Sequence, residues 1–274
     1  MKIAMIGGLG MLGSDLQKIY LSATNIPHDL IPVEKITAPV LDGFEVVINC
    51  SAYHDVRKCE DHPNRAFEVN YIGVRGLAEI CHRLGIRLIH FSTNIVFNGK
   101  KWHAYEPTDI PDPKTVYGYS KWLGECAIRD QIQHGLVANI IRLAPIYGHS
   151  PCRGKGRNFV TTVLKLAQEK KPLSFPLDQT VNPLSTVDVA EAVSWVIANR
   201  DPHPVIHLGS SNSCSWYEFA REILHLNGLS NEVNPIFTEG SVKYPINGVL
   251  QPTLQTPTWQ DSLSRYFSSE PEAA

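Results

Sequence analysis

Much of what would mark a specialised chain is scarce here. In 274 residues the charged content is 19% and the formal net charge only −2, so no basic surface for nucleic acid is expected. The 6 cysteines (Cys50, Cys59, Cys81, Cys126, Cys152 and Cys214) lack framework spacing, which argues against a disulfide scaffold and for reduced thiols in the cytoplasm. Cys59-x-x-His62 is a lone pair of candidate ligands, short of the four that a structural zinc needs, so no metal is expected. No apolar run approaches the roughly 20 residues that span a bilayer, and Met1-Lys2-Ile3-Ala4 runs straight into a strand, without the pattern of a signal peptide. Internal repeats are also missing. The remaining class is an ordinary globular protein of one large domain, or one domain with a small cap.

What the chain does have begins at residue 2. Lys2 to Ile6 is a short apolar run, then comes Gly7-Gly8-Leu9-Gly10-Met11-Leu12-Gly13, then a helical pattern through Tyr20. Strand, glycine turn and helix in that order make a dinucleotide-binding fingerprint. Gly7 permits the turn, Gly10 lets backbone approach a pyrophosphate, and Gly13 lets the helix pack closely on the strand. A second strand is expected over Leu30 to Val33 and a third over Val46 to Asn49. Only about a dozen residues separate them, with Pro39 inside, so the crossover helix must be very short or absent. Glu34 could hold a ribose hydroxyl and Lys35 could tolerate a 2′-phosphate, which leaves NADH and NADPH both open.

A helix is expected from Asn64 to Leu84, with Ala66, Val69, Val74, Leu77, Ile80 and Cys81 on one face. Arg87 to Phe91 reads as the fourth strand, with Ser92-Thr93-Asn94 at its carboxyl end, where open α/β sheets bind ligands. Tyr117-Gly118-Tyr119-Ser120-Lys121 follows, and no other Tyr-x-x-x-Lys occurs in the chain. On a helix the two side chains share a face, so the ammonium should lower the phenol pKa and make it a usable proton donor. Val137 to Arg142 is a further strand. Helices are expected over Asn158 to Glu169 and Asp188 to Ala198, with a strand at Val205 to Leu208 between later elements. Phe175 to Thr186 reads as a loop, Ser215 to Glu218 as a capping box, and Thr258 to Asp261 as a similar helix start. Ser268 to Ala274 reads as a frayed tail.

Together, the glycine spacing, Asn49-x-x-Ala52, Ser92-Thr93-Asn94-Ile95-Val96-Phe97, Val116-Tyr117-Gly118-Tyr119-Ser120-Lys121, Gly156-Arg157-Asn158-Phe159 and Asp178-Gln179 resemble the extended short-chain dehydrogenase/reductases. Within them the chain is similar to the dTDP-4-dehydrorhamnose reductase family over nearly its whole length. The resemblance implies an α/β fold, a Rossmann-type doubly wound parallel sheet over residues 1–148, with part of 180–210 returning to it. It assigns 149–274 mainly to a smaller substrate domain.

It further implies hydride transfer from NADPH or NADH to a ketone of a nucleotide-activated sugar. Tyr117 would protonate the oxygen, Lys121 would tune the tyrosine and bind the nicotinamide ribose, and Thr93 would hold the carbonyl. Gly10, Met11 and Leu12 would meet the pyrophosphate, Ser51, Ala52 and Tyr53 the nicotinamide side, and Lys35 and Ile36 the adenine. Asn94, Pro145, Arg157 and Asn158 would face the substrate, with Arg153 and Lys155 in a basic loop able to clamp its diphosphate. Family habit implies a homodimer.

Three departures stand out. The family's aspartate after the threonine is Asn94, its tryptophan is replaced at Pro145, and the helix between the second and third strands is cut back. Pro145 is shared with the non-catalytic beta subunits of methionine adenosyltransferase, so a regulatory subunit is one rival reading, as is an NAD(P) redox sensor with no substrate. An epimerase or dehydratase is another, although dehydratases carry Asp-Glu where this chain has Asn94-Ile95.

Overall fold

The computed structural model describes residues 1–151, 156–238 and 245–269. Its centre is a parallel six-stranded sheet in the order β10-β5-β4-β3-β1-β2. These strands are β1 (Ile3–Ile6), β2 (Thr24–Ile26), β3 (Val46–Asn49), β4 (Arg87–Thr93), β5 (Ala138–Leu143) and β10 (Val205–Leu208). Short strands fill the chain between: β6 (Ile146–Tyr147), β7 (Leu173–Pro176), β8 (Thr180–Val181) and β9 (Leu184–Ser185), then β11 (Cys214–Ser215) and β12 (Val233–Ile236).

The central strands are apolar on both faces because both faces are covered. Ala4, Ile6, Val47, Leu88 and Ile140 point toward α2 (Ala38–Leu41), α5 (Val74–Leu84) and α6 (Val116–Gln133). Their neighbours Ile3, Met5, Ile48, Ile89 and Ile141 point the other way, onto α1 (Met11–Ile19) and α8 (Thr186–Ala198). A separate cluster of Tyr147, Val160, Phe219, Ile223, Trp259 and Leu263 joins α7 (Phe159–Gln168), α9 (Trp216–Leu226) and α10 (Trp259–Ser268). The last two helices start as their sequences predict. Ser215 and Glu218 form a reciprocal capping box, and the Thr258 hydroxyl accepts the Asp261 amide at 3.1 Å.

The second strand is not where apolar content puts it. Residues 30–33 form a turn and the start of a 3-10 helix (Val33–Lys35), and the strand is Thr24–Ile26. As the sheet's edge it has only β1 beside it, so it needs little apolar surface, and Pro27 and Pro32 keep the following segment out of the ladder. The shortened crossover is as expected: one 3-10 turn and the four-residue α2.

The expected helix from 64 to 84 is segmented. It comprises α4 (Pro63–Phe67), a π-helical stretch (Glu68–Gly73) and α5, and an unforeseen α3 (Val56–Asp61) precedes it. β4 runs two residues further than expected, so Ser92 and Thr93 belong to the strand. The expected loop from 175 to 186 also carries β8 and β9.

Chain order reverses around β1, which lies between β2 and β3. The crevice at the carboxyl ends of β1 and β3 is therefore the switch point, where ligands of open α/β sheets bind.

Candidate active site

The glycine turn closes this crevice from one side. Gly7 has φ 71° and its amide donates to the Ile26 carbonyl at 3.1 Å, which bends the chain away from β1. A Cβ on Gly10 would meet only the Gly7 oxygen, at 3.5 Å, so the backbone there is open to a ligand. Gly10 is the N-cap of α1 and provides no side-chain cap, and the first turn holds no acidic residue. Met11 and Leu12 turn their side chains inward, which leaves the amides of this first turn for an anion. These residues fit a dinucleotide pyrophosphate. Gly13 has a different task from the one its spacing suggests: a Cβ there would lie 2.5 Å from the Gly8 Cα, so it packs the helix on its own loop rather than on the strand.

The adenine side is rearranged by the shifted β2. Glu34 lies in the 3-10 turn and its carboxylate accepts from Arg65 at 2.5 Å, with the other oxygen buried and unpartnered. Ile36 is packed in the core, and only Lys35 of the expected pair is exposed. The residues that do follow β2 are Pro27, His28 and Asp29. Asp29 lies at the sequence spacing, about 20 residues on from the glycine turn, at which dinucleotide folds carry the acid that binds the adenosine ribose. The apolar run at 30–33 obscures it.

At the end of β3 the Asn49 Oδ1 accepts from both the amide (3.1 Å) and the hydroxyl (2.5 Å) of Ser51. Ala52 and Tyr53 continue along the crevice. Asn70, in the π-helical stretch, grips Tyr53 from both sides: its Oδ1 accepts the Tyr53 amide and its Nδ2 donates to the Tyr53 carbonyl, both at 2.9 Å. The same Nδ2 donates to Ser120 Oγ at 3.0 Å, tying this wall to α6. π-helical turns frequently mark functional positions, and here the extra residue turns an amide inward.

Tyr117 opens α6, where the Thr115 hydroxyl caps the Gly118 amide at 3.0 Å. Its ring packs against Val56, Cys59, Ala66 and Tyr53. Thr93 closes β4 with its hydroxyl accepting from the Ile95 amide at 3.2 Å, and it lies near enough to the Tyr117 phenol to pull its pKa down. The structure thus brings Thr93 and Tyr117 together. Lys121 is buried below them, and its Nζ donates to the Phe91 carbonyl at 2.6 Å beside His90 Nε2 at 3.2 Å.

The expected lowering of the phenol pKa does not occur. Burial pushes Tyr117 above its ordinary value, the nearby Thr93 hydroxyl pulls partly back, and Lys121, turned toward β4, has no share. Burial also brings Lys121 down to about 8, against the pull of Glu125. His90 is held well below the ordinary imidazole range, by burial first and by Lys121 second.

Asn94 Nδ2 donates to the Gly248 carbonyl at 2.9 Å, a bond that a carboxylate at this position could not make. The departure from aspartate therefore secures the 247–250 segment. Pro145 follows β5, half-buried, with its carbonyl accepting from Leu184 at 3.0 Å. Asn158 is occupied as the N-cap of α7, in a reciprocal box with Thr161, and Arg157 beside it is exposed. Asp178 accepts from the amide and hydroxyl of Thr238 at 2.8 and 2.9 Å, a loop-holding contact. Arg153 and Lys155 lie outside the described residues.

The family model for the RmlD substrate binding domain matches residues 1–267. A spore coat polysaccharide biosynthesis protein, SpsK, of Bacillus subtilis is 35% identical over 99% of both chains. The crystal structure of a dTDP-4-dehydrorhamnose reductase from Clostridium acetobutylicum is 31% identical, with a TM-score of 0.88 over 98% of this chain and 99% of that one. The reductase from Bacillus anthracis, solved in complex with NADP, is 27% identical, with a TM-score of 0.89 over 98% and 99%.

Proposed function

This chain belongs to the RmlD substrate binding domain family of extended short-chain dehydrogenase/reductases, and we propose that its cleft reduces a ketone on a dTDP-linked deoxysugar. The substrate class is that of the 4-dehydrorhamnose reductases it resembles. The observation that carries the reading is the meeting of Thr93 and Tyr117 at the end of β4, beside the switch-point crevice.

NADPH or NADH, when bound, supplies the hydride to the carbonyl carbon. The α1 N-terminus binds its pyrophosphate, and Ser51, Ala52 and Tyr53 line the nicotinamide side. The Thr93 hydroxyl donates to the carbonyl oxygen and holds it against the Tyr117 phenol. As charge develops on that oxygen, the phenolic proton passes to it, leaving the alcohol and a tyrosinate. The raised phenol pKa keeps Tyr117 protonated before the transfer, and the Lys121 ammonium, once turned from β4 toward it, would steady the tyrosinate after it. In this reading the described residues after 149 would supply most of the sugar-nucleotide side of the cleft, with Asn94, Pro145 and Arg157 facing the substrate.

The test is to supply dTDP-4-dehydrorhamnose with NADPH or NADH and follow loss of the reduced nicotinamide alongside the sugar product. Stoichiometric reduction supports the reading. Conversion of the sugar without net cofactor loss would point to an epimerase or dehydratase, and cofactor binding without turnover to a regulatory subunit.

A further inference from the structure

Four residues form one line from the end of β3 to α6, buried from Asn49 through His90 to Lys121. Its first link cannot reverse, since the Ser51 backbone amide is a fixed donor to Asn49 Oδ1 at 3.1 Å. With that oxygen committed, the Asn49 amide presents Nδ2 to His90 Nδ1 at 3.1 Å. An amide NH2 only donates, so Nδ1 accepts. His90 is wholly buried and its imidazole is held neutral, so its single proton sits on Nε2. Nε2 faces Lys121 Nζ at 3.2 Å. An ammonium has three donors and no lone pair, whereas an uncharged amine can accept the Nε2 proton while donating to Phe91.

We propose that His90 is a positioning residue that latches Lys121 beneath β4 whenever the lysine is the uncharged amine, and that protonation releases the ammonium toward Tyr117 and the cofactor cleft. For a charged Lys121 to keep the contact, the imidazole proton would have to move to Nδ1. The Asn49 amide would then turn over and leave the Ser51 amide facing an NH2 group. The charge of the lysine is in this way linked to the residue that lines the nicotinamide side. The other groups around Lys121 act differently. Glu125, one turn along α6, favours the ammonium but is committed to Arg142 of β5 at 2.7 Å, and Tyr117 is a neutral phenol. Burial outweighs Glu125.

The latch is a property of the cofactor-free chain; only its kinetic consequence rests on the catalytic reading of Tyr117 and Lys121. It is tested by NMR titration of the cofactor-free protein carrying 13Cε-labelled lysine, with the Lys121 resonance assigned through Lys121→Arg. His90→Asn places an amide where Nδ1 stood and drops Nε2, whereas His90→Gln reaches the Nε2 position and can offer a carbonyl oxygen to the ammonium. Wild-type Lys121 should titrate far below ordinary lysines, and both variants should raise its midpoint by about one pH unit or more. The alkaline limb of kcat should move with it while KM changes little. A wild-type Lys121 titrating in the ordinary lysine range would overturn the proposal without any variant having to fold. So would an unchanged midpoint in a folded His90→Asn protein. A shifted midpoint without sugar reduction would uphold the latch and count against the catalytic reading alone.

Discussion

Glu125 and Arg142 form a wholly buried ion pair, Nη2 to Oε2 at 2.7 Å, directly beneath the end of β4. Ser92, next to Thr93, donates to the same glutamate at 2.5 Å, and His207 lies 3.3 Å from the guanidinium. The pair fixes α6 to β4 and β5 under the two residues assigned to the carbonyl. Replacing Arg142 with alanine strands a buried carboxylate, and the expected loss of stability is about 3–5 kcal/mol, read from urea unfolding. A loss below about 1 kcal/mol would mean that Glu125 finds other partners.

Acid should weaken the fold through two buried imidazoles. Burial, with Arg142 beside it, holds His207 at about 3 in the fold, and His90 is also depressed, by burial and Lys121. An unfolded histidine takes its proton near pH 6.5. Between these limits the unfolded chain binds more protons, so stability is complete above about pH 6.5 and falls as pH drops toward 3. The urea midpoint should decline over this window, and His207→Asn should flatten the decline. An unchanged slope would remove His207 from the account.

Asp29 predicts a change in cofactor choice. A carboxylate after β2 suits a ribose hydroxyl and repels a 2′-phosphate. Asp29→Asn should move the ratio of kcat/KM for NADPH over NADH upward by about tenfold. An unmoved ratio would place the adenosine ribose elsewhere, with Lys35 the next residue to replace.

Asn94→Asp separates the two uses of this position. The carboxylate cannot donate to Gly248 and would face its carbonyl, so the 247–250 segment should loosen at a cost of about 1–3 kcal/mol. KM for the sugar should rise more than kcat falls. Improved turnover with intact stability would instead show that the substrate wants the charge.

The parts of the site legible in the sequence are those fixed by local spacing. The glycine turn, Thr93 at a strand end, and Tyr117 four residues before Lys121 each follow from one element's geometry. The direction in which Lys121 points does not, because it depends on His90 and Phe91 across the sheet. Asn70 was likewise hidden, and Asn49 stood out only as part of a strand-end motif, not for its bond to His90. Each is a polar residue in an apolar pattern, with partners on other elements. The second strand was lost for the opposite reason: at an edge it buries so little that Thr24-Asn25-Ile26 carries no apolar signal, while exposed Leu30 nearby carries a misleading one.

The most direct measurement compares wild type with Tyr117→Phe for NADPH oxidation driven by dTDP-4-dehydrorhamnose, with NADPH affinity measured on both. The phenol is assigned the proton, not the cofactor's place. Turnover should therefore fall by about a hundredfold or more while NADPH affinity stays within a few-fold. A Tyr117→Phe protein that still reduces the sugar at a comparable rate would contradict the account at its centre.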